Sequence, residues 1–312
     1  MKRVALIGAG VMGRNHARVV AQSTHSTLAM VIDPDAISGK MLSDAYQCEW
    51  KSSIGEYDDI DYVIIASPTE SHFDLAHNAL NQGIPTLIEK PISANLVETK
   101  KLLELSEQRN VLMLCGLVER FNPVILTVSK IIDKVIGIYS VRHSPMISRI
   151  ATNVDGDLLI HDIDIAMRLM NSIPDDMVSS NYIRQTKNGN LIDAMDVLAT
   201  FPGNRFANMS VSRLSHKKIR TLNIVEEERL IEVDLLRRDI TIYRNVSEGS
   251  SENGVGYKQQ TIIEIPTLIT NTEPLASQLD HFVDLMDEQN LTRFSAERSS
   301  LLALHQILDK LK

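Results

Sequence analysis

Two cysteines in a chain of 312 residues, Cys48 and Cys115, exclude a disulfide framework, and their spacing suits no zinc site. A reducing, cytoplasmic setting is expected. Positive charge is also in short supply. The 32 Lys and Arg stand against 40 Asp and Glu, a net −8, which argues against a general nucleic-acid binder; a local basic patch stays open. No run approaches the roughly 18 apolar residues that span a bilayer, so no membrane segment is expected. The opening MKRVALIGAGVMG has an apolar run behind two cations, yet it enters a glycine pattern rather than a small-residue cleavage site and does not read as a signal peptide. Internal repeats and low-complexity tracts are missing as well. What is present is ordinary globular composition, 44% hydrophobic and 23% charged, which excludes disorder and collagen. The length is about twice the ~150 residues of a typical domain, so two domains are expected.

From residue 1 to about 120, short β-branched runs alternate with helical ones: RVALIG, TLAMVID, DYVIIAS, PTLIEK and VLMLCGL are strands, with helices over GRNHARVVAQ, HFDLAHNALNQG and ANLVETKKLLELSEQRN. Continuously apolar strands separated by helices predict a doubly wound parallel sheet buried on both faces. After RFNPVI the rhythm changes. A helix over VILTVSKIID, a strand at GIYSVRHS and a helix over LLIHDIDIAMRLMNS precede strands at VLATFP, FANMSVSRL, RTLNIVEEE, LIEVDLL, DITIYR and QTIIEIP. This predicts an α+β domain over 121–312 on an open, mainly antiparallel sheet, with a long exposed hairpin loop at NVSEGSSENGVGYK. Two amphipathic helices end the chain, and whether they pack back on the first domain, 1–120, is left open.

Gly8, Gly10 and Gly13 form G-x-G-x-x-G around Ala9, Val11 and Met12, directly after a strand and at the start of a helix. The first glycine permits the tight turn, the second lets backbone approach a pyrophosphate, and the third lets helix and strand pack. Asp33 ends the next strand, 20 residues after Gly13, where a carboxylate accepts hydrogen bonds from an adenosine ribose. Pro34 and Asp35 follow, with no basic residue before Lys40, so NAD is expected rather than NADP. Ser67-Pro68-Thr69 and His72 follow the strand DYVIIA at the carboxyl edge of the sheet; S-P-T reads equally as a helix start. Glu89-Lys90-Pro91 ends PTLIEK at the same edge, with Lys90 directed to solvent or into the cofactor cleft. Asp157 and His161 lie four residues apart at a helix start and share a face, the pairing expected of a general acid/base, though a capping Asp and a packed His fit too. A third metal ligand is not evident, and no metal is expected. Asp162 and Asp164 read as first-turn charges favoured by the helix dipole.

In order, GAGVMG, ASPTESH, EKPIS, ERFNP and D-L-L-I-H-D-I-D resemble the Gfo/Idh/MocA family of sugar and inositol dehydrogenases. The resemblance implies a Rossmann first domain holding the dinucleotide through Gly8, Gly10, Val11, Met12, Gly13, Asp33, Ser67, Pro68, Thr69, His72, Glu89 and Lys90. It makes Lys90, Asp157 and His161 the catalytic set, with Arg120 and Asn122 at the substrate. The second domain would cover the substrate and make subunit contacts, as a homodimer or homotetramer. One departure is NVDGD, where the family often has a glycine pair leading into the D-x-x-x-H motif.

NHARVV and SRLSHKKIRTLNIVEEERLIEVDLLRRDITIY resemble, more narrowly, the branch that oxidises nucleotide-activated amino sugars, the UDP-N-acetylglucosamine 3-dehydrogenases. Arg213, His216, Lys217, Lys218 and Arg220 are a basic cluster that could hold a diphosphate, or a solvated hairpin end. The expectation is an NAD-dependent dehydrogenase acting at C3 of such a sugar, with Lys217 and Lys218 at the substrate. An inositol or free-sugar dehydrogenase, a keto-sugar reductase and a non-catalytic NAD-binding sensor are the alternatives.

Overall fold

Short, wholly apolar strands need cover on both faces, and the first part of the chain supplies it with helices. In the computed structural model, which describes residues 1–146, 152–186, 189–248, 258–288 and 291–311, this part runs β1 (Lys2–Ile7), α1 (Val11–Gln22), β2 (Ser26–Ile32), α2 (Ala36–Tyr46), β3 (Glu49–Lys51), β4 (Tyr62–Ile65), α3 (Thr69–Asn81), β5 (Thr86–Ile88), α4 (Leu96–Arg109) and β6 (Met113–Cys115). The six strands pair in the order β3-β2-β1-β4-β5-β6, all parallel. Every residue of β4, β5 and β6 is buried, as a doubly covered sheet requires. The direction of winding reverses between β1 and β4, the place where a doubly wound sheet opens a crevice beyond its strand ends. α2, β3 and the edge strand β8 described below had no counterpart in the sequence reading. AISGKMLSDAY in α2 carries a Gly and two Ser, and its apolar residues make no clear stripe.

A 3-10 turn over Val118–Phe121 leads to α5 (Pro123–Ile131) and β7 (Val135–His143). A single π-helical turn, Asp155–Leu159, runs into α6 (Ile160–Met170). The strands β8 (Asp176–Thr186), β9 (Gly189–Phe201), β10 (Arg205–Ser212), β11 (Ile219–Glu226), β12 (Arg229–Asp234), β13 (Asp239–Glu248) and β14 (Lys258–Glu264) complete an eight-stranded sheet, ordered β14-β13-β12-β11-β7-β10-β9-β8. Only the β7–β10 pair is parallel. Met195, Val197, Ala199 and Phe201 of β9 alternate with exposed residues, the period-2 pattern of a half-covered sheet. α6 packs against β7 and β10, and ten of its eleven residues are buried. Of the expected hairpin loop over 245–258, strand extends to Glu248 and resumes at Lys258; residues 249–257 lie outside the described residues.

The chain ends in α7 (Pro274–Glu288) and α8 (Leu291–Lys310). Met1–Phe121 and Thr272–Lys310 form one compact unit and Asn122–Asn271 the other, so both terminal helices belong with the first sheet rather than with residues 122–271. Leu279 and Phe282 enter the same core as Val4, Leu6, Tyr62 and Ile64, and the Phe282 ring meets Tyr62 edge-on at 5.3 Å between centroids. None of the described helices is long and apolar enough to cross a membrane.

Candidate active site

At the end of β1 the backbone makes a turn that only glycines permit. Gly8 has φ +101°, and a Cβ there would lie 2.7 Å from the Ala66 carbonyl oxygen beyond β4. A Cβ on Gly13 would fall 1.9 Å from the Gly8 oxygen, so helix and turn are in direct backbone contact. Gly10 differs: a Cβ there would meet nothing within 4 Å. As the N-cap of α1 it has no side chain to accept the first-turn N–H groups of Val11, Met12 and Gly13. Free N–H groups at the positive end of a helix dipole, beside open space, fit the pyrophosphate of a dinucleotide.

Asp33, just past β2, turns Oδ2 onto the Ala9 N–H at 2.6 Å and Oδ1 onto the Asp35 N–H at 2.8 Å. The carboxylate is thereby locked beside the glycine turn. The Trp50 indole donates to the Asp33 carbonyl at 3.2 Å and lies so close to Gly39 that any side chain there would collide with it. The Lys40 ammonium sits over the Trp50 ring, 5.0 Å from its centroid.

Ser67, Pro68 and Thr69 start α3, with the Ser67 and Ser71 hydroxyls 2.8 Å apart and Ser71 donating to the Pro68 carbonyl. His72 is buried, its Nε2 3.0 Å from the Ser67 carbonyl and its Nδ1 2.9 Å from the Pro91 carbonyl. It joins the loop after β4 to the loop after β5. Glu89 turns inward, with Oε1 2.8 Å from Nε2 of the buried His16 in α1, and a Cβ at Gly116 would press on its carboxyl group at 3.0 Å. Lys90, half-buried, follows between that anchored Glu89 and Pro91, to which it is joined by a cis peptide bond. Sequence reasoning missed His16; its partner is 73 residues away and no local spacing announces the pair.

In the second unit Asp157 sits inside the π-helical turn and His161 in the first turn of α6, so the two are joined by a widened turn rather than by regular α-helix. Arg213, at the end of β10, donates from Nη2 to Asp157 Oδ2 at 2.8 Å and from Nη1 to the Thr152 carbonyl. Nη1 also lies 3.8 Å from Oδ1 of the fully buried Asp193, which Arg184 grips from β8. Asp162 and Asp164, expected as first-turn charges, are both buried, and Asp162 takes two hydrogen bonds from Arg142, at 2.7 and 3.1 Å.

Two of the remaining candidates bond within the protein. Arg120 is buried and donates to Glu297 at 2.7 Å; Asn122 caps α5 through the Val124 N–H and donates to the Leu235 carbonyl at 3.2 Å. The basic cluster splits. Arg213 and Arg220 are buried, Arg220 holding the His143 carbonyl and the Ser144 hydroxyl, whereas His216, Lys217 and Lys218 are exposed in the β10–β11 turn. Neither cysteine has the surroundings of a nucleophile: Cys115 is buried in β6, and burial pushes the Cys48 thiol up to about 11.

Residues 2–117 match a family model described as an oxidoreductase family with an NAD-binding Rossmann fold. Across both units the chain is 25% identical, over 285 residues, to UDP-N-acetylglucosamine 3-dehydrogenase of Acidithiobacillus ferrooxidans, covering 90% of this chain and 88% of that protein. A solved structure of that dehydrogenase aligns over 97% of this chain and 95% of its own, with a TM-score of 0.83. An inositol 2-dehydrogenase of Rhizobium meliloti is 29% identical over 184 residues, 55% of this chain and 56% of its own. Levoglucosan dehydrogenase, solved with NADH and levoglucosan, shares the fold at 16% identity, with a TM-score of 0.80 over 99% of this chain and 97% of its own.

Proposed function

We propose, from the match of residues 2–117 to the Gfo/Idh/MocA oxidoreductase family model, an NAD-dependent dehydrogenase that oxidises a secondary ring hydroxyl of a sugar, at C3 of a nucleotide-activated amino sugar such as UDP-N-acetylglucosamine. The observation that carries this reading is similarity to UDP-N-acetylglucosamine 3-dehydrogenase extending over both units, 90% of the chain, rather than over the cofactor domain alone. The glycine turn, the uncapped start of α1 and Asp33 would hold the dinucleotide. NAD is favoured over NADP because a 2′-phosphate beside Asp33 and Asp35 would meet two carboxylates. When bound, NAD supplies a hydride acceptor at its nicotinamide.

The chain's own residues then have the following roles. The His161 imidazole takes the proton of the reacting hydroxyl as its carbon loses hydride, leaving a ketone. The Lys90 ammonium donates a hydrogen bond to that oxygen and stabilises the charge that develops there. Asp157 orients His161 or the sugar. A base so placed is worth about 10²–10⁴ in rate. Lys217 and Lys218, exposed in the β10–β11 turn, would meet the diphosphate. The functional form would be a homodimer or homotetramer, which light scattering measures directly.

An inositol or free-sugar dehydrogenase is the second reading, supported by the 29% identity to an inositol 2-dehydrogenase over about half the chain. Incubation with NAD or NADP and a panel of UDP-sugars, free sugars and inositols, followed by nicotinamide absorbance, decides. Reduction of NAD with UDP-N-acetylglucosamine is the expected result. Turnover confined to free sugars or inositols would replace the first reading with the second, and silence across the panel would leave an NAD-binding sensor.

A further inference from the structure

We propose that Arg213 is a positioning residue that sets the orientation and electrostatic surroundings of Asp157, with Asp193 holding Arg213 to that task; the proposal rests on reading Asp157 and His161 as working residues. The Arg213 side chain is 3% exposed, whereas that of Asp157 remains 28% exposed, so one carboxylate oxygen is gripped from the protein side while the group stays accessible. The grip is made by a fork that a lysine could not reproduce: Nη2 reaches Asp157 Oδ2 at 2.8 Å while Nη1 holds the Thr152 carbonyl. The same guanidinium therefore fixes both the carboxylate and the chain entering the π-helical turn. Asn153 reinforces that entry, accepting the Ile192 N–H of β9 at 3.0 Å.

Behind Arg213 the charges alternate. Asp193, 1% exposed at its side chain, lies between the guanidinium groups of Arg184 and Arg213, and the series Arg184, Asp193, Arg213, Asp157 sums to zero. The ionisable groups of the turn and of the start of α6 are Asp155, Asp157, His161, Asp162 and Asp164, and from β7, packed on α6, Arg142 pairs with Asp162, an ion pair that none of the variants below alters. Changing a charge in the series changes the potential felt at the turn, and the direction depends on which charge is removed.

The test measures turnover with NAD and the best substrate across pH in three variants, with thermal unfolding as the control. Arg213→Gln removes a cation, so the imidazole of His161 keeps its proton to higher pH and the acid limb of kcat/KM moves upward. Arg213→Lys keeps the charge but loses the fork, so the limb stays while turnover falls, by about tenfold to a hundredfold for a small misplacement. Asp193→Asn removes an anion and moves the limb downward. The same order is expected in the NMR titration of the His161 imidazole without substrate, its signal being the one lost in His161→Asn. That readout separates the two ideas: a chain inactive toward every sugar but showing this order loses the proposed function and keeps the positioning. Native limb and titration in Arg213→Gln, or equal shifts in the Gln and Lys variants, would overturn the proposal. Should Arg213→Gln fail to fold, the Lys and Asn variants decide, and any result other than an unmoved and a downward-moved limb overturns it.

Discussion

Asp33 uses each of its carboxylate oxygens on a backbone N–H, those of Ala9 and Asp35, and so shapes the glycine turn before any ribose arrives. In the proposed role Asp33→Ala therefore removes two kinds of contact at once, the ribose bonds that the proposal assigns to it and the brace on Ala9. Charge-assisted hydrogen bonds are worth roughly 1.5–3 kcal/mol each, so NAD affinity measured by calorimetry is expected to fall at least tenfold, with NADP losing less. Tighter binding of NADP than of NAD by the unaltered chain would remove the role given to Asp33. The acid was legible in the sequence because strand, glycines and carboxylate obey a fixed local spacing. The brace was not, because a side-chain bond to Ala9 has no periodic signature. His72 illustrates the same limit: its position after the strand marked it for the cofactor, and the structure shows its ring joining two loop carbonyls, Ser67 and Pro91, that are far apart in sequence.

At the level of elements, the β10–β11 turn carries what is left of the basic cluster. The pattern of the strand ends turns Arg213 and Arg220 inward, where Arg213 donates to Asp157 and the Thr152 carbonyl and Arg220 to the His143 carbonyl, and the turn itself leaves Lys217 and Lys218 in solvent. A run of basic residues in a sequence does not reveal which of them face out unless the strand ends are known to the residue. Lys217→Ala with Lys218→Ala is expected to raise KM for a UDP-sugar without lowering kcat, because it removes binding common to ground and transition states. A free sugar should show no change. Equal responses from both substrates would leave the turn a solvated hairpin end. Of the elements the sequence concealed, α2 and β8 each have a physical reason. β8 is an edge strand exposed along nearly its whole length, so it has no apolar alternation to display, and α2 keeps a glycine where the Trp50 indole needs room.

On the scale of the whole molecule, the first unit is completed by residues from the far end of the chain. Phe282 is fully buried against the central strands, and Phe282→Ala is expected to cost about 3–5 kcal/mol, seen as a lowered midpoint in denaturant unfolding. A fragment ending at residue 121 would expose that core and should lack cooperative unfolding. Amphipathic spacing announced two terminal helices; which sheet they join is a long-range packing outcome that spacing does not encode.

The residues proposed for the chemistry come from separate units, Lys90 from the first and Asp157 and His161 from the second, so whether they serve one proton transfer is a question for coupling energies. Lys90→Met and His161→Asn are each expected to keep the fold and most of the NAD affinity while lowering kcat by about two to four powers of ten. Two residues acting independently give effects that multiply, whereas two acting on one hydroxyl do not, because once the first is lost the second has less left to assist. The double variant should therefore lie well above the product of the singles. Multiplicative losses would separate Lys90 from His161 in mechanism. Loss of NAD binding in Lys90→Met would place Lys90 at the cofactor, leaving His161 and Asp157 as the chemistry-bearing pair, and near-native turnover in His161→Asn would require a different base.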